Sequence, residues 1–188
     1  MSETDSTQKS DVSLSIPSKL FWQLIYRMER EEPYETRSIE GCDFHFISSP
    51  FGLLPFFASG KSVFGMLGFI KTLLKLVTAK RDICIYTKEK QILHYSWLNH
   101  GFCGNYWVDS ADTVIGPIWS HADSRGLGLA TETMKRAVNH SLEKGYKVFF
   151  IDTSFDNIAC QKAIAKVGFG APVAVFLRGY VGKNVMAL

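Results

Sequence analysis

The residues best suited to chemistry stand in one short loop, Arg125-Gly126-Leu127-Gly128-Leu129-Ala130. It follows the apolar run 114–119, which reads as a strand, and precedes 131–138, which reads as a helix. Two glycines and an alanine at such a junction leave successive backbone N–H groups unobstructed. The helix start adds its partial positive charge at the same point, so the loop is built to hold a phosphate or pyrophosphate. A second unit of the same kind follows. Residues 147–153 form a compact apolar run of strand type, then Asn157 opens a helix over 158–167 as its N-cap, with Gly168 as the stop.

Together these two units resemble the GCN5-related N-acetyltransferase (GNAT) superfamily. Its acyl-CoA loop follows Arg/Gln-x-x-Gly-x-Gly/Ala, matched by Arg125, Gly128 and Ala130. Its next helix is led by Asn and ends Lys-x-Gly-Phe, matched by Asn157, Lys166, Gly168 and Phe169. The resemblance covers roughly the last two-fifths of the chain, and the paired motifs are far more specific than either alone. It implies an α/β fold with a mixed, mostly antiparallel central sheet flanked by helices. It also implies an enzyme that moves an acyl group, acetyl in the simplest case, from acyl-CoA to a primary amine, with no metal.

On that resemblance, the CoA pyrophosphate sits on the N–H groups of Arg125, Gly126, Leu127, Gly128, Leu129 and Ala130. The pantetheine arm lies along the strand holding Ile118, Trp119 and Ser120, whose N–H groups also face the developing oxyanion. Asn157 and Cys160 complete the CoA contacts. Gly116-Pro117 interrupts this strand, because proline cannot donate a ladder hydrogen bond. A bulge there would open the gap that CoA needs. The attacking amine must lose a proton, and three groups are candidates for the base. His121 ends the strand and titrates near neutrality, though it reads equally as a loop histidine. Asp152 either faces the gap from the neighbouring strand or caps the turn before Asn157. His94 reads as a structural histidine first and a base second. Many family members carry a tyrosine acid four residues before the Gly-Phe glycine; Ile164 stands there instead.

The elements that must position these groups are legible to varying degrees. Residues 18–31 carry Leu20, Leu24, Ile25 and Met28 at helical spacing and predict a helix after Pro17. Residues 39–48 predict a strand. Residues 82–86 and 91–97 predict a hairpin with a charged turn, 102–108 a short strand, and 173–178 a last strand. Residues 51–80 are very apolar and predict a buried or half-buried helix inserted near 61–78. Lys61, Lys71, Lys75 and the prolines keep any uncharged run below the ~18–20 residues that span a bilayer. An interfacial helix is the second reading.

Bulk properties bound the rest. The chain has 188 residues, 46% of them hydrophobic and 21% charged, with a formal net charge of +3. This predicts one globular domain over 17–188 behind a disordered lead-in over 1–16, with no pattern for nucleic acid or a membrane partner. The four cysteines form no Cys-x-x-Cys pair, which argues against a zinc site. The N-terminus lacks the pattern of a secretory signal, so the expected location is the cytoplasm. The acceptor is expected to be a small amine. Residues 91–97, with His94-Tyr95-Ser96-Trp97, are similar to bacterial acyltransferases acting on nucleotide-linked amino sugars for cell-surface polysaccharide. Such a carrier needs cations away from Arg125, with Lys61, Arg81 and Arg178 available. Polyamines, antibiotics, and protein N-termini or lysines stay open as acceptors. So do a non-catalytic CoA-binding role and a second copy of the chain as partner.

Overall fold

Strands that read as alternating or continuous apolar runs need cover on one face or both, and this chain supplies it with helices on either side of one sheet. The computed structural model describes residues 22–78, 80–177 and 185–187. Its strands are β1 Trp22–Glu29, β2 Asp43–Ile47, β3 Arg81–Lys88, β4 Gln91–His100, β5 Asp112–Ser120, β6 Val148–Ser154, β7 Ala174–Leu177 and β8 Val185–Ala187. Its helices are α1 Pro50–Leu53, α2 Phe57–Leu76, α3 Leu129–Glu143 and α4 Ile158–Val167. The strands form one sheet in the order β2-β3-β4-β5-β6-β1-β7-β8. Every neighbouring pair is antiparallel except β5 and β6, which the α3 crossover makes parallel.

α3 and α4 cover one face. Met134, Ala137, Val138, Ile164 and Val167 pack there with Leu98, Ile115, Phe149 and Ile151. The opposite face is covered at the β2–β4 end by α1 and α2, through Leu53, Phe56, Phe69 and Leu76 against Ile83, Ile85, Ile92 and Trp97. The expected inserted helix is therefore present between β2 and β3, longer than its predicted span. It bends at Gly65, whose φ of 71° is not helical, and its two halves meet so closely that a Cβ on Gly60 would clash with the Phe69 ring. The stretch from Pro50 to Leu76 is apolar and long enough to cross a bilayer by length and composition. Its inward side chains pack on the sheet, while Phe51 and Leu67 stay largely exposed.

Two expectations fail. The helix over 18–31 is instead strand β1 as far as it is described, and residues 18–21, like the lead-in over 1–16, lie outside the described residues. β1 runs between β6 and β7 with both faces covered. Leu24, Tyr26 and Met28 enter the α3–α4 core, and Ile25 enters a cluster on the other face. A strand apolar on both faces also satisfies helical spacing, so periodicity alone misreads it. The strand over 102–108 is irregular chain. β4 is paired on both edges, and the segment joins no ladder of the sheet. It caps the face instead, with the Tyr106 ring packed on Phe150 and Phe176.

Candidate active site

The site begins where a ladder stops. β5 and β6 pair from Asp112–Val148 to Ile115–Ile151, and no further, although both strands continue. The interruption lies on the β4 side. Ser96 pairs with Ile118 and Leu98 with Ile115, so Gly116-Pro117 stand opposite Trp97 alone. Two residues facing one is a bulge, and Pro117 has no N–H to restore the ladder. Gly116 takes a φ of 129°, and Asn99 Nδ2 donates to its carbonyl at 2.8 Å, which holds the bulge in place. Past it the strands diverge around a cavity of about 500 Å³. Pro117 and Ile118 form one wall, Asp152 to Ser154 the other, and Asn157, the N-cap of α4, and Cys160 within it close one side.

The glycine loop lies between the end of β5 and α3. Ser124 anchors it: buried, its Oγ donates to the carbonyls of Leu93 at 3.0 Å and His121 at 2.9 Å. Gly126 and Gly128 both take left-handed φ, 83° and 82°, a conformation other residues adopt at a cost. Gly128 supplies no side-chain cap, so the first-turn N–H groups of α3 are left for a ligand. Arg37, Lys135 and Lys166 line a second cavity of about 490 Å³ with Gly128 and Thr131, beside the carboxylates Glu35 and Glu132, the latter engaged by the Arg37 N–H and Arg136. Arg37 is fixed from its backbone: its N–H donates to Glu132 at 2.8 Å, and its carbonyl accepts from Arg136 at 2.9 Å. No motif points to Arg37, which comes from a segment remote from the loop. An uncapped helix start beside three cations suits the polyanionic end of CoA. We expect Gly128→Val to weaken acetyl-CoA binding about tenfold or more. Its Cβ would fall 2.8 Å from Arg37 Nη2 at a left-handed φ, beside the N–H groups the phosphates need. Calorimetry on the folded variant measures this, and unchanged affinity refutes the loop's role.

The structure separates the three candidate bases. Asp152 lines the cavity, and its Oδ2 accepts a hydrogen bond from Tyr106 at 3.3 Å. Burial, reinforced by the adjacent Asp152 charge, pushes the Tyr106 hydroxyl well up, so it stays a donor. His121 is about half exposed and absent from the cavity wall. Its Nδ1 accepts from the Asp123 N–H at 3.3 Å and so caps the short turn Ala122–Ser124. His94 is fully buried away from the cavity, its Nδ1 2.8 Å from Ser120 Oγ. Of the proposed CoA contacts on β5, Ile118 lines the cavity, Trp119 stacks on Tyr95, and Ser120 holds His94. Asn157 Oδ1 accepts from the Cys160 N–H at 3.1 Å, and burial pushes the Cys160 thiol up, a Thr153 hydrogen bond opposing. Ile164 is fully buried in the core, so no acid stands at the family's tyrosine position.

Burial holds the His94 imidazole neutral, with its pKa lowered from 6.5 to about 4. A folded pKa below the unfolded one means stability present above the unfolded value and lost as pH falls. From pH 6.5 to 4 this group alone should remove about 3 kcal/mol. Denaturant titrations at pH 7 and 4.5 should show a smaller loss for His94→Gln than for the parent; equal losses refute the assignment.

Comparison with known proteins agrees with this geometry. The model of the acetyltransferase (GNAT) family matches residues 22–169. No curated protein matches the chain. Among solved structures, a GNAT-family acetyltransferase from Colwellia psychrerythraea superposes with a TM-score of 0.60 at 17% identity, over 80% of this chain and 53% of that one. A predicted acetyltransferase from Clostridium acetobutylicum, solved with acetyl-CoA, gives 0.53 at 14% identity, over 76% and 96%. The aminoglycoside 6'-N-acetyltransferase of Acinetobacter baumannii gives 0.55 at 14% identity, over 76% and 100%. The chain thus spans about half the length of the Colwellia protein. These likenesses are of fold.

Proposed function

Because the chain belongs to the acetyltransferase (GNAT) family, we propose that it transfers an acyl group, acetyl in the simplest case, from acyl-CoA to the primary amine of a small molecule. The observation that carries this reading is the divergence of β5 and β6 beyond Ile115 and Ile151, which opens a cavity with Ile118 on one wall and Asp152 on the other. The loop and Arg37, Lys135 and Lys166 would hold the phosphates, and the gap would take the pantetheine arm. Asp152 receives the amine proton as nitrogen attacks the thioester carbonyl. Backbone N–H groups beyond the bulge, Ile118 first, face the oxyanion; the thiolate then leaves and takes up a proton from solvent. Tyr106 acts through Asp152, holding the carboxylate oriented toward the gap.

Among acceptors, we favour an amino sugar on a nucleotide carrier, and with it a step in cell-surface polysaccharide synthesis in the cytoplasm, where acyl-CoA is supplied. One feature supports it: Arg81, one of the cations such a carrier requires, lines the cavity. Lys61 does not line it, and Arg178 lies outside the described residues. The Acinetobacter enzyme acts on an aminoglycoside, a polycation that the Arg81 end of this cavity would repel. A thiol-release assay with acetyl-CoA tests the proposal against nucleotide-linked amino sugars, free amino sugars, polyamines, aminoglycosides and peptides. Amine-dependent release is expected. CoA binding without release from any acceptor would make the protein a CoA-binding module instead. Turnover of peptides or polyamines alone would remove the sugar reading and keep the acyltransferase.

A further inference from the structure

The cavity that holds Asp152 does not end at the strands. Lys75, near the end of α2, and Arg81, which opens β3, both line it, opposite the β6 wall. The same two residues, with Phe102, also line an adjoining groove of about 490 Å³ whose further cations are Lys71 and Lys80. The site is therefore a trench, with a carboxylate at the reacting end and four cations along the continuation.

Among the described residues nothing compensates those cations. From Pro50 to Arg81 the sequence contains five cations and no aspartate or glutamate. Among the described residues, no carboxylate lies within ion-pair distance of Lys71, Lys75, Lys80 or Arg81. The next residue, Asp82, is turned inward to His100 and Lys144. Aromatic faces hold the two central cations instead: Lys75 Nζ lies 5.2 Å from the Trp97 ring centre, and the Arg81 guanidinium carbon 4.5 Å from that of Phe102. An aromatic face orients a cation without neutralising it, so its donors stay free for another partner. Partial burial and mutual repulsion also disfavour the Lys75 charge, burial being the larger cause. Converging like charges at a cavity without a counter-ion cost stability, and such an arrangement marks a site that an anion completes.

We propose that Lys75 and Arg81 form an anion subsite for the acceptor, so that the substrate is an amine carrying a phosphate or carboxylate at a distance from its nucleophilic nitrogen. This rests on the acyl-transfer reading above and narrows it. The Asp152 end receives the ammonium group and the trench receives the acid. The charge order along the cavity thus sets both the binding direction and the exclusion of polycations.

Matched amine pairs test the subsite: ethanolamine against phosphoethanolamine, glucosamine against glucosamine 6-phosphate, and β-alaninamide against β-alanine. The anionic member should be turned over with a kcat/KM about tenfold higher or more, and the pair that shows it distinguishes phosphate from carboxylate. In Arg81→Gln and Lys75→Gln, singly and together, that ratio should fall toward one, with CoA affinity as the control for folding. Neutral members turned over equally well, or a ratio unmoved by both substitutions, would overturn the subsite while acyl transfer stands. If no amine releases thiol, acyl transfer fails, and the subsite is judged by titrating pyrophosphate onto the CoA-saturated protein. Binding that weakens about tenfold or more in the double variant supports it; no binding, or equal binding, overturns it.

Discussion

Asp152→Asn should lower turnover ~10²-fold or more, with little change in acetyl-CoA affinity, because it removes a proton acceptor and leaves the cavity walls in place. Asparagine is isosteric, and its carbonyl oxygen can still accept the bond that Tyr106 now gives Oδ2 at 3.3 Å. The substitution therefore isolates the charge from the shape. His121→Ala is the informative comparison, since His121 lies off the cavity wall and serves the turn after β5. A large loss in Asp152→Asn with a small one in His121→Ala assigns the proton to the carboxylate. If Asp152→Asn keeps full turnover from pH 6 to 9, water or the acceptor manages the proton and Asp152 is structural. Tyr106→Phe should fall between these outcomes. It leaves the base but frees its orientation, and its kcat should drop more than its KM rises.

What could be read in advance divides along physical lines. The glycine loop and the Asn157-led helix were legible because their conformation is local. Left-handed glycines and a helix start are properties of neighbouring residues, and Gly126, Gly128, Asn157 and Gly168 take the expected conformations or caps. The bulge was legible for the same reason, since Pro117 removes one donor wherever the strand lies. Strand β1 was not legible. A segment that packs Leu24 and Met28 on one face and Ile25 on the other carries no pure period of two. Arg37, Lys135, Lys75 and Tyr106 were missed as site residues because their placement is tertiary. Arg37 reaches the loop through Glu132 and Arg136, and Tyr106 reaches Asp152 from chain that joins no ladder. The split between His121 and Asp152 likewise rests on which way a strand end points, which neither residue type encodes.

The largest stability effect should come from Asp82, at a distance from the cavity. Its carboxylate is 2% exposed, and its Oδ2 accepts from His100 Nε2 at 2.9 Å and Lys144 Nζ at 2.6 Å, with His140 Nε2 3.7 Å away. His100 in turn meets Thr113 Oγ1 at 3.0 Å and stacks on Tyr146. One buried anion thus ties β3, β4 and β5 to the C-terminal end of α3, the helix whose other end carries the glycine loop. Burial opposes that charge, but the hydrogen bonds from His100 and Lys144, with His140 and Ser48 close by, outweigh it and hold the carboxyl well below the usual carboxylate range. A carboxyl lowered in the folded state stabilises above its unfolded value of 3.8, and that contribution is lost as pH falls below it. Asp82→Ala should therefore cost about 3–5 kcal/mol at neutral pH, because it strands cationic and polar partners that were built around an anion. In a chain this long that is on the order of 10 °C in Tm. Asp82→Asn, which keeps an acceptor in place, should lose less. A Tm for Asp82→Ala within about 2 °C of the parent at pH 7 would mean that the partners find water instead, and that the network tethers nothing.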